Sequence, residues 1–436
     1  MGARTTALSA LIACRKQGAW ADGVLKEYIR RDNLDRRDAA LASRLCYGVI
    51  QNRMLLDYYI QSCLNGSLKK LQPIVLDILR LGVYQLLLMD RVPDSAAVNE
   101  AVEQGKKYAN RSAAGLINAV LRRIVREGST LPRPESLSIQ FSHPEELVQL
   151  LRRNVPVHLL QPLLESNNQA PETVIHLNPL LANETDFDQL KAIESADLIA
   201  HPWLTDAFLM TGVGNIESLP AYKNGTIMVQ DGAARLSVVA ADPRPGMNVI
   251  DVCSSPGGKS FAAAFMMKNT GSIVSCDIHP HKINLIGQGA KRLGIHIIDP
   301  VLHDATVNNP QWNEKMDVVI ADVPCSGLGV IRKKPDIRYK DLRQSEQLPS
   351  IQRKIIENAS CYVKPGGVLL YSTCTILRRE NEEIVDAFLE KHPDFHLEAF
   401  PLPDGFPEKG NNGMVTLLPC VHGTDGFFIC KLRRDS

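Results

Sequence analysis

The chain has 436 residues, 44% hydrophobic and 22% charged, which gives a soluble chain of two or three domains. Its ten cysteines form no C-x-x-C pair and have no histidine cluster nearby, which argues against a zinc site or a disulfide framework and for a reducing cytoplasm. The net charge of +1 hides an asymmetry: residues 1–126 hold 20 Lys+Arg against 11 Asp+Glu, or +9, which leaves −8 for the remainder.

The amino terminus lacks the uninterrupted apolar core and cleavage site of a signal peptide. Apolar residues at helical spacing follow, in Leu8, Leu11 and Ile12 and again in Val24, Leu25, Tyr28 and Ile29, so residues 1–130 read as an all-α bundle. Its longest apolar helix, Leu71 to Met89, is interrupted by Asp77 and Arg80 and is no membrane span. A positive field on a bundle suits an RNA partner held through its phosphates, although a merely solvated charged surface fits the same charges. The stretch Thr130-Leu-Pro-Arg-Pro134 closes this part as a linker. Residues 140–230 read as a small α+β subdomain, with helical patterns at Glu145 to Arg153 and Asp186 to Ser195 around a strand at Thr173 to Leu177.

From residue 231 the pattern alternates strand and helix. In Asn248-Val-Ile-Asp-Val-Cys-Ser-Ser-Pro-Gly-Gly-Lys259 an apolar strand enters a Pro-Gly-Gly turn and then the helical run Ser260 to Lys268. Strand, glycine turn and helix in that order open a nucleotide-type site at the carboxyl end of a parallel sheet. A phosphate-binding P-loop needs a glycine where Cys253 stands, and a dinucleotide fingerprint needs three spaced glycines where residues 253–260 supply an adjacent pair. Both readings fail, which leaves a different adenosine cofactor. The next strand, Ser272 to Cys276, ends in Asp277, a carboxylate suited to two ribose hydroxyls. A third strand leads to Asp304, a fourth (Asp317 to Ala321) to Asp322-Val-Pro-Cys325-Ser-Gly, and a fifth (Val368 to Tyr371) to Ser372-Thr-Cys374.

Together with Gln230-Asp231, Pro335-Asp336, Lys364-Pro-Gly-Gly, Glu380-Asn381-Glu382 and Asp425-Gly-Phe-Phe428, these pieces resemble the RNA 5-methylcytosine methyltransferases, and within them the RsmB (Fmu/Sun) ribosomal RNA methyltransferases. Arg80-Leu-Gly-Val-Tyr-Gln85, Ala97-Val-Asn-Glu100 and Asn118-Ala-Val-Leu-Arg-Arg123 resemble the NusB-type RNA-binding domain at the amino end of that family. The resemblance implies a multidomain chain: a NusB-like helical domain at 1–130, the α+β subdomain at 140–230, and a Rossmann-like S-adenosylmethionine-dependent methyltransferase domain at 231–436. It also implies methylation of cytosine C5 in 16S ribosomal RNA that is not fully assembled, in the cytoplasm, with no metal and no membrane.

Cytosine C5 is too weakly nucleophilic to attack a methyl sulfonium until a thiolate adds at C6, so a cysteine is required beside the cofactor. Spacing does not choose between Cys325 and Cys374. The resemblance gives the attack on C6 to Cys374 and product release to Cys325. It places Cys253, Ser254, Ser255, Pro256, Gly257, Gly258 and Lys259 around the methionine part of the cofactor, Asp277 on the ribose and Asp304 on the adenine amine. Asp322 is expected to hydrogen-bond the base and to touch the cofactor, and the Lys259 ammonium to lower a nearby thiol pKa. Arg332-Lys333-Lys334 is expected to hold phosphates beside the base. The chain departs from the family pattern at Glu145, normally aromatic, and at His176, normally Arg, which puts an RNA contact there in doubt. Two rivals are an amino-group methyltransferase, which would carry Asn/Asp-Pro-Pro-Tyr/Phe where Asp322-Val-Pro-Cys325 stands, and a non-catalytic NusB-like RNA-binding factor; the intact cysteine pair argues against both.

Overall fold

The computed structural model describes residues 2–193 and 196–436, and these fall into two compact units. The first comprises Met1–Gln169 together with Ile331–Lys340, and the second Ala170–Val330 with Asp341–Ser436.

The first unit is all helical. Seven helices (Ala3–Gln17, Ala21–Arg31, Arg36–Gln51, Arg53–Cys63, Pro73–Leu88, Asp94–Tyr108 and Arg111–Glu127) pack around Leu8, Leu45, Leu56, Ile60, Ile78, Ile117 and Leu121. Each such side chain removed from water is worth roughly 1.5–3 kcal/mol. Helix starts are marked in the sequence: Asp35 accepts the Asp38 N–H at 2.8 Å and Asn110 that of Ala113 at 2.9 Å. Pro73–Leu88 is apolar on nearly every face and is buried accordingly. Its two charges are paired: Asp77 with Arg15 at 2.9 Å, and Arg80 with Asp57 at 2.7 Å and with Asp77 at 3.3 Å. No helix among the described residues is long and apolar enough to cross a membrane.

Helical structure continues past residue 130, through Leu137–Gln140, Glu145–Arg152 and Val157–Ser166. Glu145 opens the second of these as an exposed first-turn carboxylate, where it favours the helix dipole. The returning segment Ile331–Lys340 beds into this unit through Arg338, which is 1% exposed. Arg338 donates to the carbonyls of Gln51 (2.7 Å) and Asn167 (3.2 Å) and to Asn168 Oδ1 (2.9 Å). The Tyr339 hydroxyl donates to Ser142 O at 3.3 Å, and Arg53 stacks on the Tyr339 ring.

The second unit holds two sheets. Strands β1 (Thr173–Leu177), β2 (Asp197–Ala200), β3 (Ala207–Thr211) and β4 (Ile227–Val229) form an antiparallel sheet in the order β2-β3-β1-β4. A helix at Glu184–Lys191 lies in this stretch; the end of the helix expected from sequence, at Ser195, lies outside the described residues. The main sheet is built from β5 (Asn248–Asp251), β6 (Ser272–Asp277), β7 (Ile298–Leu302), β8 (Met316–Asp322), β9 (Val363–Thr373), β10 (Phe395–Leu397), β11 (Met414–Leu417) and β12 (Phe427–Arg434). Its order is β10-β12-β9-β8-β5-β6-β7, with β11 on β12; β5 to β9 are parallel and β10 to β12 antiparallel.

Alternation along the parallel strands sends Val249, Ile273, Val318 and Leu370 into one core with Leu236 and Ala262, and Ile250, Val319, Leu369 and Tyr371 into another with Ile355 and Ile384. Both faces are therefore covered by helices, as a parallel sheet requires. From β5 the chain runs outward to β6 and β7, then returns to β8 and β9 on the other side. This is the reversal point at which α/β sheets bind ligands, at the carboxyl ends of β5 and β8.

Candidate active site

The turn after β5 is held from beneath by buried polar groups. Ser260 Oγ donates to Asp251 Oδ2 at 2.9 Å, receives the Ser275 hydroxyl at 2.8 Å and meets Ser254 Oγ at 2.8 Å. Burial pushes the Asp251 carboxyl up to about 7. The Ser254 N–H bonds Cys276 O at 2.8 Å, a cis peptide joins Ser255 to Pro256, and burial pushes the Cys253 thiol well up. Gly257 has φ +108°, and a Cβ there would lie 2.3 Å from the Phe261 ring, so only glycine makes this turn. Gly258 then starts the helix Gly258–Met266. A Cβ at Gly258 would lie 3.4 Å from the side-chain nitrogen of Gln230, whose buried amide has no partner for its oxygen or its nitrogen among the described residues. A donor and an acceptor thus stand ready at the turn for a polar ligand.

Asp277 ends β6, buried, with its carboxylate oriented by the His279 N–H at 3.0 Å and by Lys282 at 3.3 Å. Asp304, just beyond β7, accepts the Thr306 hydroxyl at 2.7 Å and N–H at 2.9 Å; these bonds hold its carboxyl below the usual range. Asp322 ends β8. One oxygen receives Lys259 Nζ at 2.6 Å and the other the Ser372 hydroxyl at 2.9 Å. The Lys259 ammonium also lies 4.9 Å from the centre of the Phe427 ring. Lys259, expected to lower a nearby thiol pKa, is paired here with Asp322.

Cys325 and Cys374 follow the neighbouring parallel strands β8 and β9, and their sulfurs are 3.2 Å apart. The Cys325 thiol is pushed well above its usual range, first by the hydrogen bond to Cys374, then by burial, then by the Cys374 and Glu380 charges. The loop after Cys325 is tied down where Gly329 donates to Cys374 O at 3.0 Å and receives the Gly426 N–H at 2.8 Å. A Cβ on Gly329 would lie 1.8 Å from Gly426 O.

Of the basic run expected to grip phosphates, Arg332 is buried, Lys333 half-buried and only Lys334 exposed. His176 is fully buried, with Nε2 3.1 Å from Gln230 O, and presents no surface to RNA. No group of three or more His, Cys, Asp or Glu that could hold a metal occurs among the described residues. Sequence reading gave no role to the supports of the site: Asp251, Ser260 and Ser275 below the turn, and Glu380, Gln352, Ser326 and Thr373 around the cysteines. Polar residues near the carboxyl ends of otherwise apolar strands, such as Asp251 and Ser275, were the available signal.

Residues 238–433 match the family described as 16S rRNA methyltransferase RsmB/F, and residues 1–126 the NusB family. A probable ribosomal RNA small subunit methyltransferase B of Bacillus subtilis (strain 168) is 36% identical, with 99% of this chain and 98% of that protein aligned. A similarly named protein of Synechocystis sp. is 31% identical over the whole of both chains. The crystal structure of PH0851 superposes with a TM-score of 0.80 over 98% of each chain at 24% identity, and that of NSun6 from Pyrococcus horikoshii with SFG at 0.59 over 67% of this chain and 98% of that one at 21% identity; both share the fold. Matched from end to end by relatives above 30% identity, the chain belongs to the ribosomal RNA small subunit methyltransferase B family, with a NusB-type domain ahead of an RsmB/F methyltransferase domain.

Proposed function

We propose that this methyltransferase methylates C5 of a cytosine in 16S ribosomal RNA by way of a covalent bond between Cys374 and C6 of the base. The observation that carries the reading is the pair of thiols, 3.2 Å apart at the ends of adjacent parallel strands, beside the Lys259–Asp322 pair. Two thiols this close can serve one base. S-adenosylmethionine is the cofactor and, when bound, supplies an electrophilic methyl group. The turn Cys253–Lys259 and the open amide of Gln230 would hold its methionine part, Asp277 its ribose hydroxyls and Asp304 its adenine amine.

The Cys374 thiolate adds to C6, and its electron pair makes C5 nucleophilic. Asp322, oriented by Ser372 and Lys259, holds the pyrimidine edge at N3 or the exocyclic amine and stabilises the charge that develops there. After methyl transfer the C5 proton leaves, the Cys374–C6 bond breaks and the base is restored; Cys325 acts in this release. The target base must be extruded, at a cost of a few kcal/mol that is lowest in RNA not yet folded or assembled. The basic NusB-like domain, residues 1–130, is the RNA handle, residues 140–230 the connecting subdomain, residues 231–436 the catalytic domain, and the cytoplasm the place of action.

Cysteine variants test the assignment. Cys374→Ala should abolish 5-methylcytosine and form no adduct. Cys325→Ala should accumulate a denaturation-resistant protein–RNA band with methylated RNA, absent in the double variant. A stable band in Cys374→Ala and none in Cys325→Ala would reverse the roles.

A further inference from the structure

Between the loops that carry the two cysteines lie two consecutive side chains, Glu380 and Asn381, both with no solvent exposure. Glu380 Oε2 accepts the N–H of Ser326, the residue after Cys325, at 2.9 Å, and the Gln352 side-chain amide at 3.0 Å. The same Gln352 nitrogen donates to the carbonyl of Pro324, the residue before Cys325, at 3.0 Å. Cys325 is therefore bracketed on both sides by one carboxylate and its amide relay. Asn381 does the same for Cys374. Its Oδ1 accepts the Thr373 hydroxyl at 2.6 Å, and its Nδ2 donates to Thr375 O at 3.0 Å. The hydroxyls of Ser326 and Thr375, 2.8 Å apart, tie the two loops directly. The dipeptide itself is anchored from β9, where the Tyr371 hydroxyl donates to Glu380 O at 2.6 Å.

A carboxylate with no exposure is expensive to bury, and a core needing only to be filled would take an apolar side chain at lower cost. We propose that Glu380-Asn381 is a positioning clamp for the catalytic thiols, Glu380 through Gln352 fixing the Cys325 loop and Asn381 the Cys374 turn, so that both sulfurs meet one base. The clamp rests on the reading that both cysteines act in a single reaction. Neither residue touches the reacting atoms, so both act through the loops they hold.

The test needs a readout of thiol apposition that does not depend on methylation. Diamide supplies one: two thiols form an S–S bond while their two protons and two electrons convert its N=N bond to HN–NH. The rate of the Cys325–Cys374 disulfide, followed by peptide mass spectrometry, reports how well the sulfurs meet. In folded Glu380→Ala and Asn381→Ala the rate should fall at least fivefold and kcat on the order of 10–100-fold, with S-adenosylmethionine affinity and KM for RNA within about twofold of wild type. Glu380→Gln drops the charge but keeps an acceptor for the Ser326 N–H, and should recover both the disulfide rate and most of kcat. Should an alanine variant not fold, the near-isosteric Gln352→Met and Thr373→Val remove the Gln352 relay and the Thr373–Asn381 bond, and should slow the disulfide and lower kcat in the same direction. Wild-type disulfide rate and kcat in these folded variants would overturn the clamp. A slowed disulfide in variants of an enzyme that makes no 5-methylcytosine would overturn the cytosine reading and leave the clamp standing.

Discussion

Asp251 sits below the glycine turn, where burial raises its carboxyl to about 7. Because the folded value lies above the ordinary 3.8, the stability this group contributes is complete below that value and is lost as pH rises through 7. Wild type should therefore lose roughly 2–3 kcal/mol more than Asp251→Asn between pH 5 and 8 in urea unfolding, since asparagine keeps an acceptor for Ser260 without titrating. Equal pH slopes would remove Asp251 from this role. Asp277, proposed to hold the ribose of the cofactor, ends β6 at the same end of the sheet. Asp277→Ala should weaken S-adenosylmethionine by two charge-assisted bonds, on the order of 1.5–3 kcal/mol each, and leave RNA affinity nearly unchanged. Calorimetry on a folded variant with unaltered cofactor binding would contradict the assignment.

At the scale of elements, the helices of residues 1–127 and the strands β5 to β9 were legible because one period of apolar residues runs through each. The glycine turn, Asp277, Asp304, Asp322 and the two cysteines were legible because each stands where an apolar strand stops. The Glu380-Asn381 network was not, since its bonds join residues about 28 to 54 positions apart for Glu380, and no local pattern encodes such pairs. Nor was the course of Lys364-Pro-Gly-Gly, which lies within β9 at a shift of register: Val363 pairs with Met316 and Val368 with Val318. Arg338 was hidden for the same reason of distance. Its guanidinium is lowered to about 10 by burial, and its two terminal nitrogens donate to backbone carbonyls. Arg338→Met should destabilise the helical unit by roughly 2–4 kcal/mol, read as a lower urea midpoint for helix loss at unchanged slope. An unchanged midpoint would mean that the carbonyls find water instead.

For the whole molecule, the +9 of residues 1–126 predicts where salt acts. Lys69, Lys70, Lys106 and Lys107 are all exposed. Replacing the four with Gln should weaken RNA binding and flatten its dependence on log salt by about 0.7–0.9 for each phosphate no longer neutralised, while S-adenosylmethionine affinity stays as it was. Affinity and slope equal to wild type would move the RNA-binding surface elsewhere on the chain. The assignment of Ile331–Lys340 to the helical unit bears, finally, on the order in which the protein matures. A chain emerging from the ribosome finishes residue 169 long before residue 340, and at 5–20 residues per second the gap lasts on the order of 10–30 s. Until then the carbonyls of Gln51 and Asn167 wait for the guanidinium that will bind them. The amino-terminal unit is therefore the first to be synthesised but cannot complete its fold until most of the second unit has been made.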